Sequence, residues 1–205
     1  PAALVSPANG CTELVVLATA DGKDSPEASP AIDGLVNAGY GVLAVDVFGV
    51  GEAAREDRAE GRHFLTFNRA EAAAKAQDIQ TAVTYAGERA ERVHLVGVGA
   101  AGLWTLLARP GANIDGQTAA DLQGIDPTDD DALIERAYVP GLARAGGVLS
   151  AGILSAPGSL ALYSVPSSAD MSPIASAYAA AGSTHAFATS RASLDAPAVV
   201  RAIVG

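Results

Sequence analysis

Three stretches of this chain are apolar almost throughout, not on alternate residues: "ELVVLAT" (13–19), "YGVLAVDV" (40–47) and "RVHLVGV" (92–98). A strand with one wet face alternates apolar and polar residues. A strand apolar at both parities must be covered on both faces, as in a parallel sheet sandwiched between helices. The segments between these runs have the matching character. In "SPAIDGLVNAG" (29–39), Ser29 suits an N-cap, Pro30 the first helical position and Gly39 a C-terminal stop. "NRAEAAAKAQDIQTAVTYAGERA" sets Ala72, Ala76, Ile79, Val83 and Ala86 on one helical face, and Asn68 with Glu71 spells a capping box. A short helix, "AAGLWTLLA" (100–108), stops before Pro110. Three further strands are expected at 116–122, 159–165 and 185–190, and two further helices at 172–182 and 195–204. The alternation predicts an α/β three-layer sandwich with a mostly parallel sheet of about six strands, forming one domain over 1–205.

Composition narrows the function classes. The chain carries a formal net charge of −10, which repels phosphate backbones and argues against nucleic-acid binding. No run of about 18 apolar residues is present, so no membrane-spanning helix is expected. Cys11 is the single cysteine, which excludes an internal disulfide, and no basic neighbour activates it. Pro1 is not an initiator residue, so the chain is expected to belong to a longer, multi-domain protein. The cluster Asp129-Asp130-Asp131 lacks the alternating spacing of a calcium loop and reads as a solvated helix cap. No metal and no cofactor is expected.

In a sheet of this kind, ligands sit beyond the carboxyl ends of the strands. Those ends fall at Asp21-Gly22, Asp46 to Gly51, Gly97 to Gly102, Leu122 to Asp126 and Ser164 to Asp170. The third is the most informative. "VHLVGVGAAG" (93–102) is a buried strand, a glycine turn and a helix start. Gly97, Gly99 and Gly102 spell the dinucleotide fingerprint G-x-G-x-x-G, and Asp121 follows at roughly the 20-residue distance of its acidic partner. Against that reading, the strand is the third in the chain, and too few strand–helix units follow to complete a dinucleotide fold. The same plan serves as a nucleophile elbow, G-x-Ser-x-G, with Gly99 in the serine's place.

The order of elements, two strand–helix layers before the elbow, resembles the α/β-hydrolases. It is closest to their acetylxylan-esterase-like and dienelactone-hydrolase-like branch. The residues that carry the resemblance are "LVVLATADGK", "AGYGVLAVDVFGVGE", "FLTFNRAEAAAKAQDIQTAVTYA", "VHLVGVGAAG", "YVPGLARAGGV" followed by "SAP", and "AYAAAGS". The resemblance implies a minimal α/β-hydrolase fold with no large cap domain. It also implies a small ester or carbohydrate-derived ligand, and leans towards a secreted or periplasmic setting.

The chain departs from that family at the chemistry. Gly99 has no side chain to attack a carbonyl, and no histidine occurs from Ala186 to Gly205, where the base belongs. His94 lies inside a strand and His185 at the amino end of another, which leaves His63, in the long stretch 48–67. The acid position offers Asp170, which also suits a helix cap. Asp46 either lines the pocket or caps the "FGVG" turn. Ser155, Ser164, Ser167 and Ser168 lie near strand ends, but a serine without a base stays protonated. The backbone N–H groups of Gly97, Gly99, Ala100, Ala101 and Gly102 are expected to face an anion-binding pocket. The leading expectation is a catalytically degenerate hydrolase-fold domain with a structural or partner-binding role. An esterase with a displaced constellation using His63 and a nearby serine, and a nucleotide binder through Gly97 to Gly102, are the alternatives. The helices at 172–182 and 195–204 are weakly polar, which implies a shared apolar edge contacting a companion domain or another copy.

Overall fold

The computed structural model describes residues 1–54 and 69–205. Seven strands form one sheet: β1 (Ala2–Val5), β2 (Glu13–Thr19), β3 (Gly41–Val45), β4 (Arg92–Val98), β5 (Thr118–Asp121), β6 (Leu160–Tyr163) and β7 (Phe187–Thr189). Their order is β1-β3-β2-β4-β5-β6-β7. Every pairing is parallel except β1 with β3. Six strands match the sequence expectation, two of them to the residue. The seventh, β1, was not expected. It is four residues of "AALV" at the sheet edge, too short and too uniform to show a period, with Leu4 46% exposed.

Seven helices lie among the described residues: α1 (Ala28–Asn37), α2 (Glu71–Gly87), α3 (Ala101–Ala108), α4 (Asp130–Ala137), α5 (Gly147–Leu154), α6 (Ser172–Ala180) and α7 (Ala196–Val204). The central strands are buried on both sides, and their alternation divides the core in two. Leu14, Val16 and Ala18 of β2 face the cluster that holds Ile79 of α2, Leu103 and Leu106 of α3, Val148 of α5 and Tyr178 of α6. Val15 and Leu17 face the smaller cluster with Leu35 of α1 and Val199 and Ile203 of α7. This is why β2 and β4 read as continuous apolar runs. The separation also corrects one expectation. Helices α6 and α7 bury residues on opposite faces of the sheet, so they do not form one apolar edge.

Local signals set most element ends. Gly39 adopts φ +95°, with Gly39 N–H donating to Val36 O and Tyr40 N–H to Leu35 O, a complete Schellman stop for α1. The start of α1 differs from expectation. Ser29 lies inside the first turn and Pro30 one residue further in, while the Ser25 hydroxyl accepts the Ala28 N–H at 3.2 Å. For α2, Ala70 occupies the cap position and Glu71 pairs with Lys75 one turn on. Asn68, the other half of the expected capping box, lies outside the described residues. Asp129 accepts the Ala132 N–H at 3.1 Å, so the acidic cluster caps α4. That helix and a 3-10 turn at Ala143–Ala145 lie between β5 and α5.

Two consequences can be measured. A Cβ on Gly102 would overlap the backbone of Asp121, whereas Gly87 has open space around it. Gly102→Ala should therefore cost on the order of 3 kcal/mol, while Gly87→Ala should be neutral or slightly stabilising in the same urea titration. The second concerns Tyr178, whose hydroxyl donates to Gly158 O at 2.7 Å. Burial pushes this phenol up to about 12, against a smaller opposing pull from Arg109. The unfolded chain ionises its tyrosine near pH 10, so stability contributed here is full below that pH. It should be lost as pH rises towards about 12. Tyr178→Phe should flatten that alkaline loss in denaturant melts run at successive pH values.

Candidate functional site

The carboxyl ends of β2 to β6 gather the candidate residues along one edge, and the turn after β4 lies at its centre. Gly99 adopts φ +62°, a conformation open to glycine and strained for a serine. The Gly102 N–H donates to Gly99 O at 3.0 Å, which closes the turn into α3. The three glycines of the fingerprint have separate structural reasons. A Cβ on Gly97 would overlap the Thr105 side chain and lie 2.7 Å from Ala101 O, and one on Gly102 would enter the β5 backbone. Both residues let α3 lie against the sheet. Asp121 is buried, and its Oδ1 accepts the Gln123 N–H at 2.8 Å, which turns the chain at the end of β5.

Around Gly99 the structure assembles groups that sequence reasoning missed. A Cβ at this residue would lie 3.4 Å from Ala20 Cβ, 3.4 Å from Gln123 Nε2 and 3.9 Å from Glu27 Oε2. Ala20 follows β2, Glu27 precedes α1 and Gln123 follows β5. Gln123 has φ +50°, as does Ser164 at the end of the neighbouring strand β6. These are the two non-glycine residues with positive φ among the described residues. The pair "QG" at 123–124 was the available sequence signal for a left-handed turn; nothing local marked Glu27.

Asp46 resolves into a structural knot. Its Oδ1 accepts the Lys23 N–H at 2.7 Å and its Oδ2 the Glu52 N–H at 3.1 Å. The Lys23 ammonium lies 3.3 Å from Asp46 Oδ2, 2.6 Å from Asp24 and 3.0 Å from Glu52. Gly22 (φ +94°) and Gly51 (φ +54°) flank the carboxylate so closely that a Cβ on either would collide with it. Asp46 thus caps the "FGVG" turn and ties the β2 end to the β3 end. It also borders a cavity between β1 and α2. Burial raises the cost of its charge, but the two backbone N–H groups and the Lys23 ammonium outweigh that and hold its carboxyl below the ordinary range. The hydrogen bond to Asp24, then that to Glu52, holds the Lys23 ammonium protonated well above its usual range.

The remaining candidates are dispersed. Asp170 Oδ1 accepts the Ser172 N–H at 2.9 Å at the start of α6, and hydrogen bonding to Ser172 draws its carboxyl down. His94 is buried in β4, its Nδ1 accepting the Gln117 N–H at 2.9 Å while its Nε2 lies 2.8 Å from Glu13 Oε2. The accepting Nδ1 places the proton on Nε2, which donates to Glu13. His185 lies in a 3-10 turn before β7, at the amino end of that strand. His63 lies outside the described residues. The buried Ser155 hydroxyl donates to Ala151 O within its own helix, and Ser168 donates to Asp126 Oδ2 at 3.2 Å.

An antiparallel edge strand, six parallel strands and a sharp glycine turn after the fourth are joined by helices on both faces. The same arrangement recurs in solved structures. A candidate acetyl xylan esterase from Bacteroides fragilis superposes with a TM-score of 0.70 at 12% identity, covering 92% of this chain and 61% of its own. A methylesterase gives a TM-score of 0.70 at 15% identity, covering 98% of this chain and 50% of its own. A dienelactone hydrolase from Anabaena variabilis gives 0.55 at 17%, covering 98% and 87%. The chain has the α/β-hydrolase fold. It spans about half to three-fifths of the first two hydrolase-fold proteins. No protein-family model and no curated protein matches it in sequence.

The Asp46 knot is open to a direct test. Asp46→Asn keeps an acceptor for the Lys23 N–H but removes the charge that faces the ammonium. A loss on the order of 2 kcal/mol is expected in denaturant melts at neutral pH. In the parent protein this contribution is present above the carboxyl's ordinary pKa and is lost as pH falls through its lowered folded value. The difference between parent and variant should therefore shrink in acid.

Proposed function

We propose that this hydrolase-fold chain has given up ester hydrolysis and serves as a non-catalytic, partner-binding domain, joined to a companion domain or to another copy. The observation that carries this reading is the surroundings of Gly99. The residue in the nucleophile's place has no side chain, and the Ala20 methyl and the Gln123 amide close over it at 3.4 Å from any Cβ. Hydrolysis by this fold needs a nucleophile, a base and an orienting acid in mutual contact. Of the described histidines, His94 is engaged by Glu13 and Gln117, and His185 sits at the amino end of its strand. Gly97 and Gly102 serve helix–strand packing here, so their spacing does not by itself call for a nucleotide.

A second reading, an esterase with a displaced constellation around His63, draws on the esterases among the structural neighbours. One assay separates the two. Against activated acetyl esters the chain should show only background turnover. Gly99→Ser should leave that unchanged, because a serine without a base remains protonated. A rate above background that disappears on replacing His63, Ser164, Ser167 or Ser168 would establish the esterase and overturn the non-catalytic reading.

A further inference from the structure

Beyond the elbow, the excursion between β5 and β6 builds a cavity that neither the glycine turn nor the Asp46 knot uses. Its lining comes from α4, from the turn after it and from the start of α5. In α4, Leu133 and Ala137 are buried and Ile134 is 55% exposed, while Tyr138, just past its end, is 45% exposed. Leu133, Ile134 and Ala137 share one side of α4, and Tyr138 and Leu142 also line the cavity. The cavity measures about 260 Å³, just below the usual range of small-molecule pockets, and so suits a compact ligand. Its backbone is fixed by left-handed glycines at 141, 146 and 147 and by the Ser150 hydroxyl, which donates to Ala145 O at 2.7 Å.

Two charges border this apolar lining, Asp130 and Arg144. Asp130 stands in the first turn of α4, where a carboxylate complements the helix's own positive end. Arg144 is solvent-exposed at the cavity's border. Among the described residues, no carboxylate lies within ion-pair distance of its guanidinium and no hydrogen bond engages it. A guanidinium without a partner beside an apolar wall is complementary to an anion carried on an apolar body, and its planar fork suits a carboxylate. We propose that this cavity binds a small apolar monocarboxylic acid, with its carboxylate on Arg144 and its hydrocarbon part between Ile134, Tyr138 and Leu142. The proposal is independent of what happens at Gly99.

Calorimetric titration of the whole chain with 3-phenylpropionate tests it, with 3-phenylpropionamide as the uncharged counterpart. The acid should bind, and the amide should bind about tenfold or more weakly, the usual worth of a charge-assisted hydrogen bond. Arg144→Gln should remove the difference between the two. Ile134→Asp should abolish binding of both. Both side chains are exposed, so each variant should keep the parent's circular dichroism and melting transition. Equal binding of acid and amide to the parent protein would overturn the proposal. So would an affinity unchanged in Arg144→Gln, or no heat of binding for the acid at millimolar concentration. Ester turnover in the elbow assay bears on the catalytic reading alone, so the two outcomes are distinguishable.

Discussion

The contact between Gly102 and the Asp121 backbone sets the geometry of the whole carboxyl edge. A side chain at residue 102 would push α3 off β5, and one at residue 97 would push it off β4 through Thr105. Because α3 lies this close, the turn at Gly99 is sharp, and its neighbours come from two strand ends and one helix start. Asp121 serves twice: its backbone receives the helix, and its carboxylate turns the chain into Gln123, the residue that then covers Gly99. Thr105, fully buried against Gly97, has a hydroxyl without a hydrogen-bond partner, a cost accepted at the tightest point of the packing.

A fingerprint of glycines therefore carries two meanings that spacing alone does not separate. In a nucleotide site one glycine lets pyrophosphate approach and another lets the helix pack on the strand; here Gly97 and Gly102 both serve that packing. The distinction depends on what lies within a few ångströms of each Cα, and that is a property of the fold.

The fold was legible because burial on both faces leaves its mark on every residue of a strand. β2 and β4 could be delimited from "ELVVLAT" and "RVHLVGV" alone. What stayed hidden had weak or misleading local signals. β1 is four apolar residues held by pairing with β3, and pairing is invisible in a single segment. Ser29 and Pro30 carried the right residue types for a helix start, but Ser25, four residues earlier, makes the hydrogen bond. α6 and α7 resemble each other in composition, yet the topology sends them to opposite faces. At the site, Asp46 could be singled out because strand ends collect function. Glu27 and Gln123 are brought beside Gly99 only through the parallel order of β2, β4 and β5.

The charge distribution separates the two ends of this edge. Around β2 and β3, Lys23 is surrounded by Asp24, Asp46 and Glu52, so its cation is neutralised within the fold and has nothing to offer a ligand. Past β5, Arg144 has a cation of the same sign and no carboxylate within reach among the described residues. In a chain with a net charge of −10, long-range attraction works against anionic ligands. An anion held here must be held by short-range contact, and apolar burial has to supply most of the binding. Ile134, Tyr138 and Leu142 line this cavity and provide that surface. The ligand site proposed at Arg144 thus lies apart from the position where the fold would place its chemistry.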